Sequence, residues 1–253
     1  MDRNNLKNPN EIFHVHTYRC KHASDEDDEA YIKRAIQLGA TKITFTDHAP
    51  FPKNPFGNRM QIEELEEYIC TLKTLKEQYK AAIEVNIGLE IEYLPSFYEY
   101  YKWLYQSEKF DILMIGQHFY ECGEQEYSFS LPPEVVKREE AEGLCHAVVE
   151  GMQSGFFQAV AHPDRIFRRC KGWNTKMEKL SKEIIRIAEE NNIMLERNLS
   201  SLKKKNQHRK EFWEIVPCSQ NTIIGIDAHS VDELSLLLEV DNPIYKKEVF
   251  PNQ

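Results

Sequence analysis

The segment FHVHTYRCKHAS, residues 13 to 24, places His14, His16 and His22, three of the chain's nine histidines, within nine positions. Neutral imidazole is the commonest metal ligand in proteins. In an extended strand residues two apart share a face, so His14 and His16 can serve one ion while Val15 packs the other way. Asp227 and His229, in IDAHS, repeat that spacing. Four more ionisable residues sit at or just beyond the ends of short apolar runs: His48 in KITFTDH, Glu90 in IGLEIEY, His118 in FDILMIGQHF and His162 in FFQAVAHP. One histidine beside an apolar run is ordinarily a hydrogen-bonded structural residue. A cluster drawn from five separate runs would leave many buried ring nitrogens without partners, and metal coordination resolves that. A tetrahedral zinc takes four ligands, so these nine donors exceed one ion and, with Glu90 shared, suffice for two or three.

The donors need elements to bring them together. Apolar runs of strand character recur along the chain: EIFHVHT, KITFTDH, AIEVNIGLEIEY, FDILMIGQHF, FFQAVAHP, NIMLERNL and TIIGIDAHS. Helical patterns lie between most of them. Ser24 to Leu38 has a serine to cap it and Gly39 to stop it, and Ile62 to Tyr79 repeats Ile62, Leu65, Ile69, Leu72 and Leu75 at helical spacing; residues 133–152 and 176–191 also read as helices. About seven alternations of strand and helix predict an α/β fold with a mainly parallel sheet, either open and doubly wound or closed into a barrel. No GxGxxG or Walker loop follows a strand, which excludes the nucleotide-binding open sheets. In parallel α/β folds the C-terminal strand ends form a common rim where active sites are built, so the ionisable groups are expected to converge on one mouth. The long loops 49–61 and 119–132 are expected to serve it. Asp25 to Glu29 reads as the acidic first turn of a helix, and its lack of a central glycine excludes an EF-hand.

At 253 residues, 41% hydrophobic and 29% charged, with a mean hydropathy of −0.60, the chain reads as one globular domain over residues 1–253 with a sizeable core. No run of eighteen apolar residues is present to span a bilayer, and the start MDRNNLKNPNEIF lacks an apolar export signal, so a cytoplasmic protein without membrane contact is expected. The six cysteines are scattered without a CxxC and read as reduced thiols, Cys20 included as a structural residue. A net charge of −9 disfavours nucleic acid as a partner. Lys203, Lys204 and Lys205 form a short basic run, either a solvated loop or a grip on phosphate. Oligomeric state is not encoded in any feature of the pattern.

The set HVHTYRCKH, TDHAP, IGLEIEY, GQHF, AHPD and IDAHS, in this order over nearly the whole chain, resembles the polymerase and histidinol phosphatase (PHP) family of metal-dependent phosphoesterases, in its stand-alone histidinol-phosphatase branch. The resemblance implies a distorted (β/α)7 barrel with three metals at its C-terminal rim. It assigns His14, His16, Glu90 and Asp227 to one ion, Glu90, His118 and His162 to a second, and His22, His48 and His229 to a third. It further implies hydrolysis of a small phosphate ester, L-histidinol phosphate, by a metal-activated hydroxide in histidine biosynthesis. Histidine and carboxylate donors suit zinc, iron and manganese alike.

Arginine grips phosphate with paired hydrogen bonds, which points to Arg165 first and Arg197 second as substrate-binding and catalytic groups. Arg197 and Asn198 alternate across a strand, so only one of them faces the mouth. Glu196 is a candidate for the cationic part of the substrate, or for orienting a ligand histidine. Asp47 is a candidate general acid with the same alternative. Two other chemistries compete: an amidohydrolase, which also begins with HxH and ends with an aspartate on the last strand, and a phosphodiesterase acting on nucleotides or nucleic acid.

Overall fold

A computed structural model describes residues 10–239. Seven strands form one parallel sheet, in the order β1 (Glu11–Val15), β2 (Lys42–Phe45), β3 (Glu84–Ile91), β4 (Ile112–Ile115), β7 (Ala159–Val160), β8 (Met194–Asn198) and β9 (Thr222–Gly225). The segment after β9 returns to β1. Ile226 N–H donates to the Phe13 carbonyl at 2.8 Å, Ala228 N–H to that of His14 at 3.1 Å, and His16 N–H to that of Ala228 at 2.9 Å. The sheet is thereby nearly closed into a barrel. This settles the choice between open sheet and barrel that periodicity left open.

Helices α1 (Asp28–Gln37), α2 (Leu65–Tyr79), α3 (Tyr98–Gln106), α4 (Pro133–Gln153) and α5 (Thr175–Glu190) surround the sheet, and the short α6 (Leu199–Lys203) and α7 (Lys210–Ile215) follow β8. The expected helix from Ser24 starts four residues later, capped by Asp27, whose carboxylate accepts from Ala30 N–H at 2.8 Å. Ser24 is used elsewhere: its N–H donates to the His229 carbonyl at 2.8 Å, tying the segment to the rim. Loop 119–132 contains a hairpin, β5 (Glu121–Gly123) with β6 (Glu126–Tyr127), which the alternation pattern does not reveal.

The strands sort their residues by face. Outward residues such as Ile12, Val15, Ile43, Phe45, Val85, Leu89 and Leu195 join the helices in the main core, where α5 contributes Met177, Leu180, Ile184 and Ala188. Phe13, Ile112, Met114, Ala159, Ala161 and Ile223 form a separate apolar cluster, packed by Met194, that fills the barrel axis. Period two then carries each inward face upward from apolar to ionisable. Gly88 leads to Glu90, Met114 to Gly116 and His118, Met194 to Glu196 and Asn198, and Ile223 to Gly225 and Asp227.

Candidate metal centre

The inward faces meet at the C-terminal rim, as the positions of the donors predict. His14 and His16 both face it, though not on a regular strand. The pairing of β1 with β2 slips between Phe13 and Val15, and His14 has a φ of 70°. This bulge lets Phe13 fill the axis while the next residue also points inward. His162, at φ 32°, and Asp227, at φ 58°, share the left-handed conformation. Non-glycine residues rarely adopt it, and such strain concentrates at functional sites.

Two glycines make room for the carboxylates. A Cβ on Gly116 would collide with Glu90 Oε1, and one on Gly225 would collide with Glu196 Oε1. Side chains at either position would displace the acids on which the cluster is built.

The ring nitrogens are arranged consistently. His14 Nδ1 is 2.5 Å from Glu196 Oε1, His118 Nδ1 is 3.0 Å from Glu92 Oε1, His22 Nδ1 is 2.8 Å from the Cys20 carbonyl and His229 Nδ1 is 3.1 Å from the Asp227 carbonyl. With Nδ1–H donating in each, the Nε2 lone pairs converge. His14 Nε2 and His16 Nε2 stand 2.9 Å apart, and His22 Nε2 and His229 Nε2 stand 3.0 Å apart. Glu90 lies at the centre, 2.9 Å from His162 Nε2, 3.1 Å from His48 Nδ1, 3.4 Å from both His14 Nε2 and His16 Nε2, and 3.8 Å from His118 Nε2. Asp227 Oδ1 is 3.7 Å from His14 Nε2 and 3.5 Å from His16 Nε2.

This donor set fits divalent ions. Ring nitrogens facing one another at hydrogen-bond distance need a proton or a metal ion between them. His16 Nδ1, His48 Nδ1 and Glu90 Oε2 are buried without a hydrogen bond, an expensive condition that coordination removes. The groups His14–His16–Asp227, His48–Glu90–His118 and His16–His48–His229 each bring their donor atoms within 4.8 Å of one another.

Charge balance agrees. Burial holds the His48 imidazole well below its ordinary pKa, and burial with the Arg165 charge brings His162 down to about 4. Burial and the neighbouring His16 bring His229 down to about 3. These three offer neutral lone pairs. At Glu90 burial disfavours the charge, but the imidazoles around it, His14 first, outweigh it and keep the carboxyl ionised; at Asp227 Arg165 and His14 do the same. For His14 and His16 burial is outweighed by surrounding carboxylates, which raise His16 to about 9. That is the excess negative charge a divalent ion would neutralise.

The remaining expected site residues divide. Arg165 is at the mouth, but its Nη2 is engaged by Asp227 Oδ2 at 2.7 Å, Ser201 Oγ at 2.8 Å and Asn198 Oδ1 at 3.2 Å. Arg197, expected as a second phosphate grip, faces away: its guanidinium stacks over Trp213 at 4.3 Å, outside the barrel. Asn198 is the inward residue of that pair. Glu196 is fully buried behind His14, also accepts from His162 N–H at 2.8 Å and does not line the cleft, a position suited to orienting candidate ligands and not to contact with a substrate. Asp47 is fully buried, accepting from Thr17 N–H and Thr17 Oγ at 2.8 Å each, which removes it from the position a general acid needs.

A cleft of about 790 Å³ opens over the cluster, lined by His22, His48, His118, Asp227 and His229 together with Arg59, Glu92, Arg165, Lys204 and the aromatic rings of Phe56, Phe119 and Phe129. Arg59 and Glu92 escaped the sequence reading. They form a buried bidentate pair at 2.8 and 3.1 Å, and burial of Glu92 is outweighed by Arg59, which holds its pKa down to about 2. Glu92 stands two residues after Glu90 on the same inward face, the one signal that points to it.

Fold and site together define a parallel β/α barrel carrying a histidine–carboxylate cluster for divalent metal at its C-terminal rim. Residues 13–200 match the PHP domain, and the chain belongs to that family. Among curated proteins it is 30% identical over 160 residues to a Deinococcus radiodurans protein named "Probable histidinol-phosphatase", covering 60% of this chain and 59% of that one. It is 34% identical over 90 residues to the histidinol-phosphatase of Bacillus subtilis, covering 33% and 34%. The matched part thus spans less than two thirds of either relative. Among solved structures, HisK from Listeria monocytogenes superposes with a TM-score of 0.73 at 18% identity, covering 88% of this chain and 96% of that one. Histidinol phosphate phosphatase from Lactococcus lactis, solved with zinc, L-histidinol and phosphate, superposes with 0.69 at 19%, covering 95% and 94%. These likenesses establish the fold.

Proposed function

We propose that the protein is a metal-dependent phosphomonoesterase that hydrolyses L-histidinol phosphate to L-histidinol and phosphate. The observation that carries this reading is the convergence of paired Nε2 lone pairs and the central Glu90 beneath an open cleft. His14, His16, Glu90 and Asp227, then Glu90, His118 and His162, then His22, His48 and His229 would hold two or three divalent ions of zinc, iron or manganese. When bound, such ions supply Lewis acidity, an acidified water and neutralisation of phosphoryl charge.

The chain's own residues do the rest. Glu196 and Glu92 fix the ring orientations of His14 and His118 through Nδ1. Arg165 holds Asp227 Oδ2, which leaves Oδ1 directed at His14 and His16, and places a guanidinium at the mouth. Phe56, Phe119 and Phe129 give the cleft an apolar wall against which a flat ring can pack while the phosphate faces the cluster. The substrate assignment is supported by the histidinol-phosphatase names of the curated relatives and by the L-histidinol and phosphate in the Lactococcus lactis structure. The cysteines among the described residues are all free, in keeping with a reducing cytoplasm, and no helix there is long and apolar enough to cross a membrane.

The test is phosphate release from L-histidinol phosphate by metal-replete protein, beside p-nitrophenyl phosphate, a nucleoside monophosphate and a dinucleotide, with His229→Ala as control. Preference for L-histidinol phosphate, lost in the control, is expected. Better turnover of the dinucleotide would move the chain to the phosphodiesterases, and hydrolysis of none of the four would refute the phosphoesterase assignment.

A further inference from the structure

We infer that Lys204 is the cation that meets the outer oxygens of the substrate's phosphoryl group at the mouth of the cleft. The inference rests on the phosphomonoesterase reading and adds to it a binding residue outside the metal cluster. Three cationic side chains line the cleft: Arg59, Arg165 and Lys204. Arg59 is committed, and Arg165 is held back from the opening through one terminal nitrogen. Arg59 spends both terminal nitrogens on Glu92 and directs Nε to the Gly57 carbonyl at 3.2 Å. Arg165 Nη2 is shared among Asp227, Ser201 and Asn198, and its side chain is only 11% exposed. Lys204 is exposed and forms no ion pair with the described residues.

Its backbone is nevertheless anchored. Asn198, on the inward face of β8, caps α6 by accepting from Ser201 N–H at 2.9 Å, and Lys204 N–H donates to the Ser201 carbonyl at 3.2 Å. Ser201 Oγ accepts from Arg165, which in turn holds Asp227. One short chain of contacts therefore runs from a candidate metal ligand to the base of the lysine. An ammonium on a flexible stem presents a compact charge and three donors, so it can follow a phosphate dianion that a fixed guanidinium could not. Of the basic run Lys203 to Lys205, Lys204 is the residue that lines the cleft, and of the cleft's three cationic side chains it is the exposed one.

The experiment uses the full metal-replete chain and needs no turnover for its first arm. Inorganic phosphate is titrated calorimetrically into wild type, K204Q and K204R at low ionic strength, with metal content measured for each. Michaelis parameters for p-nitrophenyl phosphate form the second arm. A hydrogen bond to a charged group predicts about tenfold weaker phosphate binding and an about tenfold higher KM in K204Q, with kcat within about threefold, unchanged metal content and recovery in K204R. Phosphate affinity in K204Q within about twofold of wild type, a loss accompanied by lost metal, or no phosphate binding by wild type would each overturn the assignment. Phosphate binding that depends on Lys204 in a protein that hydrolyses no phosphomonoester would instead refute the enzymatic reading and leave the contact standing.

Discussion

The lower and upper halves of the barrel interior are built by the same strands and obey opposite rules. Below, Phe13, Ile112, Met114, Ala159, Ala161 and Ile223 fill the axis with apolar side chains. Farther along, the same inward faces carry His14, Glu90, His118, Glu196 and Asp227, nearly all buried. Burying an apolar side chain stabilises the fold by roughly 1.5–3 kcal/mol, whereas a buried charge costs several kcal/mol unless paired. The lower half thus supplies stability that the upper half consumes. The rim residues are the candidates for chemistry, and a bound cation would reconcile them with burial.

The largest test of that contrast is Glu90→Gln. Removing the carboxylate shared by five imidazoles is expected to release metal and lower phosphatase activity on the order of a thousandfold, about 4 kcal/mol. Thermal stability measured in chelator should fall as well, because the imidazoles that keep the buried carboxyl ionised, His14 first, lose their partner. A variant that keeps its metal would break the distinction between the halves.

Glu92→Gln comes next and carries a pH signature. The folded pKa of Glu92, about 2, lies below its ordinary 4.5, so its contribution is present above pH 4.5 and is lost as pH falls toward 2. The variant is therefore expected to be less stable than wild type by about 3 kcal/mol near neutral pH, with the gap in denaturant titrations closing on acidification. A gap independent of pH would mean the Arg59 pair is not its origin.

Met114→Ala probes the lower half. Stability should fall by between about 2 and 3 kcal/mol while metal content and KM stay at wild-type values. The smallest effect is expected at Arg197→Met, on the outward face of β8. Loss of its stacking on Trp213 should cost about 1 kcal/mol of stability, with activity within about twofold of wild type. A large activity loss there would contradict the outward orientation.

Much of the rim is legible in the order of residues alone. Donors two apart, at the ends of apolar runs separated by helical patterns, point to a parallel α/β fold with its chemistry on one edge. Period two also shows that Arg197 and Asn198 cannot both face the mouth. It does not show which one does, because a strand's pattern names its two faces without saying which is interior.

The chain's own order of residues therefore determined the candidate ligand types, their alternation with apolar positions and the number of strands that deliver them. Tertiary structure decided the rest. Closure of the sheet through the segment after β9 turned Asn198 inward and Arg197 out. The bulge at His14 and the left-handed turns at His162 and Asp227 aimed candidate ligands that a regular strand would have aimed elsewhere. Glu92 found Arg59 thirty-three residues away, and Arg165 was drawn onto Asp227, sixty-two residues away. Such pairings depend on which chains lie side by side in space, and local periodicity carries no information about distance across a barrel.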